Sequence, residues 1–275
     1  MTDDGIADFN SYASNVVEAF SSRFRAADNQ FTGWKRLIEN FCQAVGAVRK
    51  HGTQLLGNVN AMHNELCIAD AILADTTLQI RRLDYEPRLR GCSKSIDFRV
   101  IVESMTLFID VKTIQPEWKD KWNQYEKAKK ENWIPENIRV HLSKNGMGGK
   151  LWHSLYTARA RVLEYALELE EKIAEAGLIH VNAKCILALC GNGFDWRKRT
   201  IEDFVSSYYG RYCADDPFSK MERKKIEERK ISLQRNISGF AFMSRSNGRI
   251  HKDNLVYFPR ISASALVHPS CGHHS

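Results

Sequence analysis

The chain is short of the features that announce several common protein classes. Among its 275 residues no apolar run approaches the ~18 needed to cross a bilayer as a helix. Its opening, "MTDDGIADFN", is acidic, unlike the basic and then apolar start of a secretory signal. There is no C-x-x-C pair, and the seven cysteines are scattered and odd in number. This pattern suits reduced thiols in the cytoplasm and argues against a disulfide framework. Cys185 and Cys190 share the apolar stretch "KCILALC", but their odd separation on a strand would point them to opposite faces, so they make poor joint metal ligands. The glycines of "GMGGK" lack the spacing of a phosphate-binding P-loop, and no G-x-S-x-G element or persuasive serine or cysteine triad occurs. No internal repeat or interdomain linker stands out. The tail "HPSCGHHS" gathers His268, Cys271, His273 and His274, and reads as a terminal tail ahead of a zinc site.

The composition that is present is that of a soluble globular protein, with 43% hydrophobic and 27% charged residues. The length suffices for a sizeable core in one large domain or two small ones. A net charge of +7 and a pI near 9.0 favour an anionic partner, nucleic acid above all. No membrane partner is expected.

Hydrophobic periodicity changes along the chain. "TGWKRLIENFCQAVGAVRK" places Trp34, Leu37, Ile38, Phe41 and Val45 at helical spacing, with Thr32 a candidate cap. A second helix is expected from about Thr53 to Asp75, carrying a stripe of Leu55, Val59, Met62, Leu66, Ala69 and Leu73. "LQIRRL", "KSIDFRVIVE" and "TLFIDVKTI" then read as three strands, the last two joined by a turn at Glu103 and Ser104. A polar, lysine-rich segment with a short strand candidate, "IRVHLS", leads to a long helix from Leu151 to about Ala176 and the apolar strand "KCILALC". Beyond it, "RTIEDFVSSYYGRY" suggests a helix, "FSKMERKKIEERKIS" a salt-bridged helix, and "ISGFAFMSRS" and "NLVYFP" further strands.

The stretch "TLFIDVKTI" concentrates the chemistry. On a strand, Asp110 and Lys112 share one face with Phe108, while Leu107, Ile109 and Val111 take the other. The preceding strand carries Asp97, with Ile96, Phe98, Val100 and Val102 alternating around it. A two-residue turn at Glu103 and Ser104 sets Asp97 directly opposite Asp110. Two facing carboxylates raise each other's proton affinity, and a divalent cation resolves the conflict. Hard oxygen ligands suit Mg²⁺ or Mn²⁺, and a lysine beside such an ion can orient water or stabilise charge on a phosphoryl oxygen. The competing account is an ion-pair ladder on a solvated sheet face. The acid-x-lysine pattern is common by itself: Glu117 and Lys119, Glu170 and Lys172, Glu222 and Lys224, and Glu228 and Lys230 also match. Only Asp110 and Lys112 lie in an apolar strand that follows another strand with its own acid.

In "SIDFRV" followed by "LFIDVKT" the chain resembles the PD-(D/E)xK nuclease superfamily, whose restriction-endonuclease-like fold is an α-β-β-β-α-β core with a mixed central sheet flanked by helices. Ile96 stands where a proline often precedes the first acid, and Asp110 where glutamate is commoner. The resemblance implies an α/β core over residues 53–192 with an insertion at 116–150, a helical N-terminal extension at 1–52 and an α+β C-terminal addition at 193–275. It implies a Mg²⁺-dependent nuclease (Mn²⁺ serving as well), acting on DNA ahead of RNA and endonucleolytic, with a homodimer as a compatible assembly. Asp97 and Asp110 would be metal ligands and Lys112 the catalytic lysine. Glu65, in "HNELCIAD" beside the apolar stripe, would be the additional glutamate ligand from the first core helix, with Asp70 its rival. Gln115 could position water or phosphate. Nucleic-acid contacts would fall to Lys119, Lys121, Lys129 and Lys130, interleaved with Trp118, Trp122 and Tyr125, and to Lys150, Arg159, Arg161, Arg197, Lys198 and Arg199. The alternative is a nucleic-acid-binding or assembly module on the same fold without catalytic power.

Overall fold

Alternating burial along a few strands organises the molecule. The computed structural model describes residues 3–52, 55–91, 95–103, 105–114, 158–178, 183–191, 236–246 and 249–259. It contains four helices, α1 (Asp3–Ala26), α2 (Trp34–His51), α3 (Leu56–Ala74) and α4 (Ala158–Glu175), among the described residues. The strands are β1 (Phe31–Thr32), β2 (Arg82–Tyr85), β3 (Phe98–Ile101), β4 (Thr106–Ile114), β5 (Ala183–Gly191), β6 (Gly239–Ser246) and β7 (Arg249–Pro259). They form one mixed sheet in chain order, β1 to β7. β2, β3 and β4 are an antiparallel meander, β5 and β6 run parallel to β4, and β7 returns antiparallel on β6. No described helix is long and apolar enough to cross a membrane.

Two cores lie on opposite faces of this sheet. On one face, Phe98, Val100, Ile109, Val111, Ala188 and Cys190 pack against α1, α2 and α3. On the other, Phe108, Cys185, Leu187, Leu189, Phe240 and Phe242 pack against Ala166, Leu167, Leu169 and Ile173 of α4. Cys185 and Cys190 therefore point to opposite faces, as their odd separation requires. In α2 the buried residues Trp34, Leu37, Ile38, Phe41, Val45 and Val48 follow the predicted helical spacing.

Several local expectations shift. The N-cap of α2 is Gly33, not Thr32, which belongs to β1. Gly33 has φ 87°, and a Cβ there would meet both the Cβ and the carbonyl oxygen of Tyr85 at 3.3 Å, so the position calls for glycine. The first meander strand starts at Arg82, later than "LQIRRL" suggests, because Gln79 takes a positive φ of 44° that interrupts extended backbone. Helix α3 buries more than a stripe: His63, Asn64, Glu65, Cys67 and Ile68 are covered as well as Val59, Leu66 and Ala69. It is sandwiched between α1 and α2 on one side and β4 on the other, and Asn64 Nδ2 donates to Thr113 Oγ1 at 2.7 Å.

Candidate active site

The hairpin register decides whether two acids meet. β3 pairs Phe98 with Ile109 and Arg99 with Phe108, and the Val102 N–H donates to the Met105 carbonyl at 3.1 Å to close the turn. The ladder ends at the Phe98–Ile109 pair, and the next residue on each side is Asp97 and Asp110, the two acids that the sequence analysis expects to face each other. Asp97 lies in a bend just before β3, and its Oδ2 accepts a hydrogen bond of 2.6 Å from the Val111 N–H. The bend has a second effect. Ile96, expected to alternate with Phe98 and Val100, is instead buried in the α4-side core.

Asp110 is fully buried beneath α4, so the ion pairs expected on this face are present but are not solvated at Asp110. Its Oδ1 accepts a 2.7 Å hydrogen bond from Lys172 Nζ of α4. Lys112 Nζ lies 3.3 Å from Asp110 Oδ2, within ion-pair range, and 3.9 Å from Glu168 Oε2. It also sits 5.7 Å from the centroid of the Tyr165 ring. The geometry follows from two matched periods. Residues two apart on a strand are separated by about 6.6 Å. Residues four apart on a helix rise about 6 Å. Glu168 and Lys172 on α4 therefore meet Lys112 and Asp110 on β4 as two successive rungs.

The electrostatics reflect this crowding. Burial, then the charge of Asp110, pushes the Asp97 carboxyl up to about 7, against the opposing pull of the Val111 N–H, Lys112 and Lys172. Burial lowers the proton affinity of Lys112, but the charges of Asp110 and Asp97 outweigh it and hold the ammonium above its ordinary value. Glu65 is buried on α3, and its Oε2 accepts from the Tyr85 hydroxyl at 3.0 Å, which in turn accepts from Asn40 Nδ2 at 3.1 Å. Its carboxyl is held well above the usual range by burial first and next by Asp97, with a smaller contribution from Asp110. Glu65, Asp97 and Asp110 thus share one electrostatic neighbourhood, approached from three elements of the fold. The rival, Asp70, is committed elsewhere, to an ion pair of 2.6 Å with Arg23 of α1.

Among the described residues no group of three or more His, Cys, Asp or Glu side chains is arranged to hold a metal ion. Asp97 and Asp110 would be the carboxylates to hold a hard divalent cation, since magnesium commonly takes one or two carboxylates and completes its shell with water and phosphate. One atom supports that fit. Asp110 Oδ2 is buried and accepts no hydrogen bond, although Lys112 is within ion-pair range. A buried carboxylate oxygen is costly unless a cation serves it, a part that Lys112 plays here and that a bound metal ion would share.

Sequence reasoning missed Lys172, Glu168 and Tyr85. A signal for Lys172 was present: it belongs to an acid-x-lysine match, and it follows Leu169 and precedes Ile173, both of which face inward. Arg159 and Arg161 fall on the first turn of α4, and their side chains lie outside the described residues. Gln115, Lys119, Lys121, Lys129, Lys130, Lys150, Arg197, Lys198, Arg199 and the histidine-rich tail also lie outside them. No family model, curated protein or solved structure matches the chain.

Proposed function

We propose that the chain is a Mg²⁺-dependent nuclease that hydrolyses phosphodiester bonds, in DNA ahead of RNA, on a restriction-endonuclease-like core. The observation that carries this reading is the buried Asp110 with Lys112 on the same strand face at 3.3 Å, and Asp97 held against the same strand by the Val111 N–H. The order α3, β2, β3, β4, α4, β5, an antiparallel meander followed by a parallel strand, supports the fold assignment.

In this reading Asp97 and Asp110 hold the cation, with Glu65 in reach of their field from α3. The bound ion would supply a lowered water pKa and charge neutralisation at the phosphoryl group. Lys112 is the more accessible of the two lysines, with 22% of its side chain exposed against 9% for Lys172. Its ammonium, retained by the two acids, orients water or stabilises the charge that develops on a phosphoryl oxygen. Tyr85 and the Val111 N–H fix the carboxylates of Glu65 and Asp97.

The test is cleavage of a panel of DNA and RNA substrates with Mg²⁺ or Mn²⁺, using Asp110→Ala and Lys112→Ala as controls. Metal-dependent cleavage that both variants lose supports the reading. Cleavage that survives in both assigns the activity to another site. The pairing of Asp110 with two lysines favours a second reading, a nucleic-acid-binding module without hydrolysis. Metal-independent binding of a DNA duplex with no cleavage would select it.

A further inference from the structure

The two lysines on Asp110 are not equivalent. Lys112 reaches toward Glu168 and the exposed side of the site, whereas Lys172 comes from α4 behind the strand and is itself buried. Lys172 makes the 2.7 Å hydrogen bond to Oδ1, and Oδ2 has only the looser ion pair with Lys112 at 3.3 Å. An ammonium so placed neutralises a carboxylate that would otherwise be buried with its charge only half served. It also occupies one of the two oxygens a metal would use. A divalent cation arriving at Asp110 meets Lys172 and Lys112 at close range, in an environment where like charges repel strongly.

We infer that Lys172 is a positioning residue that sets the divalent-cation affinity of the site: it holds Asp110 Oδ1 in the absence of metal and weakens cation binding there. The inference rests on the metal-dependent reading above. Its consequence is that metal binds weakly alone and more tightly once an anionic phosphodiester offsets the two ammonium groups. Cation loading is then coupled to nucleic-acid loading through a residue that touches neither.

The experiment is titration of the full chain with Mn²⁺ alone, followed by calorimetry, for the wild type, Lys172→Met, Lys172→Arg and Asp110→Asn. Lys172→Met removes the charge at similar length and is expected to bind Mn²⁺ about tenfold more tightly, or better. Lys172→Arg restores a cation and returns the affinity to that of the wild type. A purely structural role for Lys172 predicts the opposite, since a damaged site binds metal less well. Should the Met variant fail to fold, Lys172→Gln keeps a donor for Oδ1 and carries the same prediction. Mn²⁺ binding that depends on Asp110 but is equal or weaker in the neutral variants overturns the role of Lys172 and leaves the metal site standing. Absence of any Asp110-dependent Mn²⁺ binding in every variant overturns both.

Discussion

The two faces of the central sheet are built from the same strands and serve opposite ends. Along β4, Ile109 and Val111 enter a core shared with three helices, while Asp110 and Lys112, between and after them, turn to α4. The three-helix face is mainly apolar near the strands, with Phe98, Val100, Ile109 and Val111 in its core, and its buried Asn64 and Glu65 are hydrogen-bonded to Thr113 and Tyr85. The α4 face buries Asp110, Glu170 and Lys172 among Leu169, Ile173, Leu187 and Leu189. The comparison teaches that charge on the α4 face is not a surface feature. It is bought by apolar burial on both sides and by paired lysines, and a fold sustains it only where the rest of the sheet is well packed.

The largest effect should come from breaking the charged face. Asp110→Asn is expected to lower the proposed Mg²⁺-dependent cleavage by about 100- to 1000-fold, the range for loss of one preorganised electrostatic group. Turnover on a cleaved substrate, measured against the wild type, checks it. The same substitution leaves Lys172 without its buried counter-charge, which costs about 3–5 kcal/mol of stability when one partner of a buried pair is removed. Denaturant unfolding reports that loss.

The apolar face should respond differently. Phe98 is fully buried there, and Phe98→Ala should cost about 3–5 kcal/mol through lost transfer energy and the cavity left behind. The protein that remains folded should keep its cleavage rate. Equal loss of turnover per folded molecule in Phe98→Ala would erase the distinction between the faces.

A smaller change sharpens the boundary between them. Tyr85→Phe removes the hydroxyl that joins Asn40 to Glu65, leaving the buried Glu65 carboxyl and the half-buried Asn40 amide to find other partners. A stability loss of about 1–3 kcal/mol is expected. A bound divalent cation should recover part of it if Glu65 contributes to the site, a difference visible in melts with and without Mn²⁺.

The smallest effect concerns thiols. Burial pushes the Cys185 thiol up to about 12, whereas Cys42 is exposed. A thiol whose folded pKa lies above its unfolded value contributes stability that is fully present below about pH 8.5 and is lost as the pH rises toward the folded value. Stability should therefore decline above about pH 8.5 with a contribution that Cys185→Ala removes, at most about 1.4 kcal/mol per pH unit. In the folded protein at pH 9, iodoacetamide should modify Cys42 and spare Cys185, as peptide mass mapping would show.

The parts of the site that were legible in the sequence are those governed by neighbours in the chain. The alternation of Phe108, Asp110 and Lys112 against Ile109 and Val111 follows from the two-residue period of a strand, and the pairing of Phe98 with Ile109, next to the two acids, follows from a short turn that fixes register. The inward lean of Glu65 was legible because Leu66 and Ala69 announce the buried side of its helix, although α3 proved to be covered well beyond that stripe. The start of β2 and the course of Ile96 were less legible. Each turns on a backbone irregularity, a positive φ at Gln79 or the bend at Asp97, that side-chain periodicity does not encode.

What the sequence determined by itself is thus a strand with a charged side and an apolar side, and the turn that brings a second acid to it. Tertiary structure alone decided what covers the charged side. Lys172 reaches Asp110 across 62 positions of chain, because a helix antiparallel to β4 matches its own four-residue rise to the two-residue spacing of the strand. Tyr85 reaches Glu65 for a similar reason, since β2 and α3 meet through packing and not through adjacency. Local backbone geometry sets which side chains share a face, and long-range packing sets which partners make buried charge tolerable.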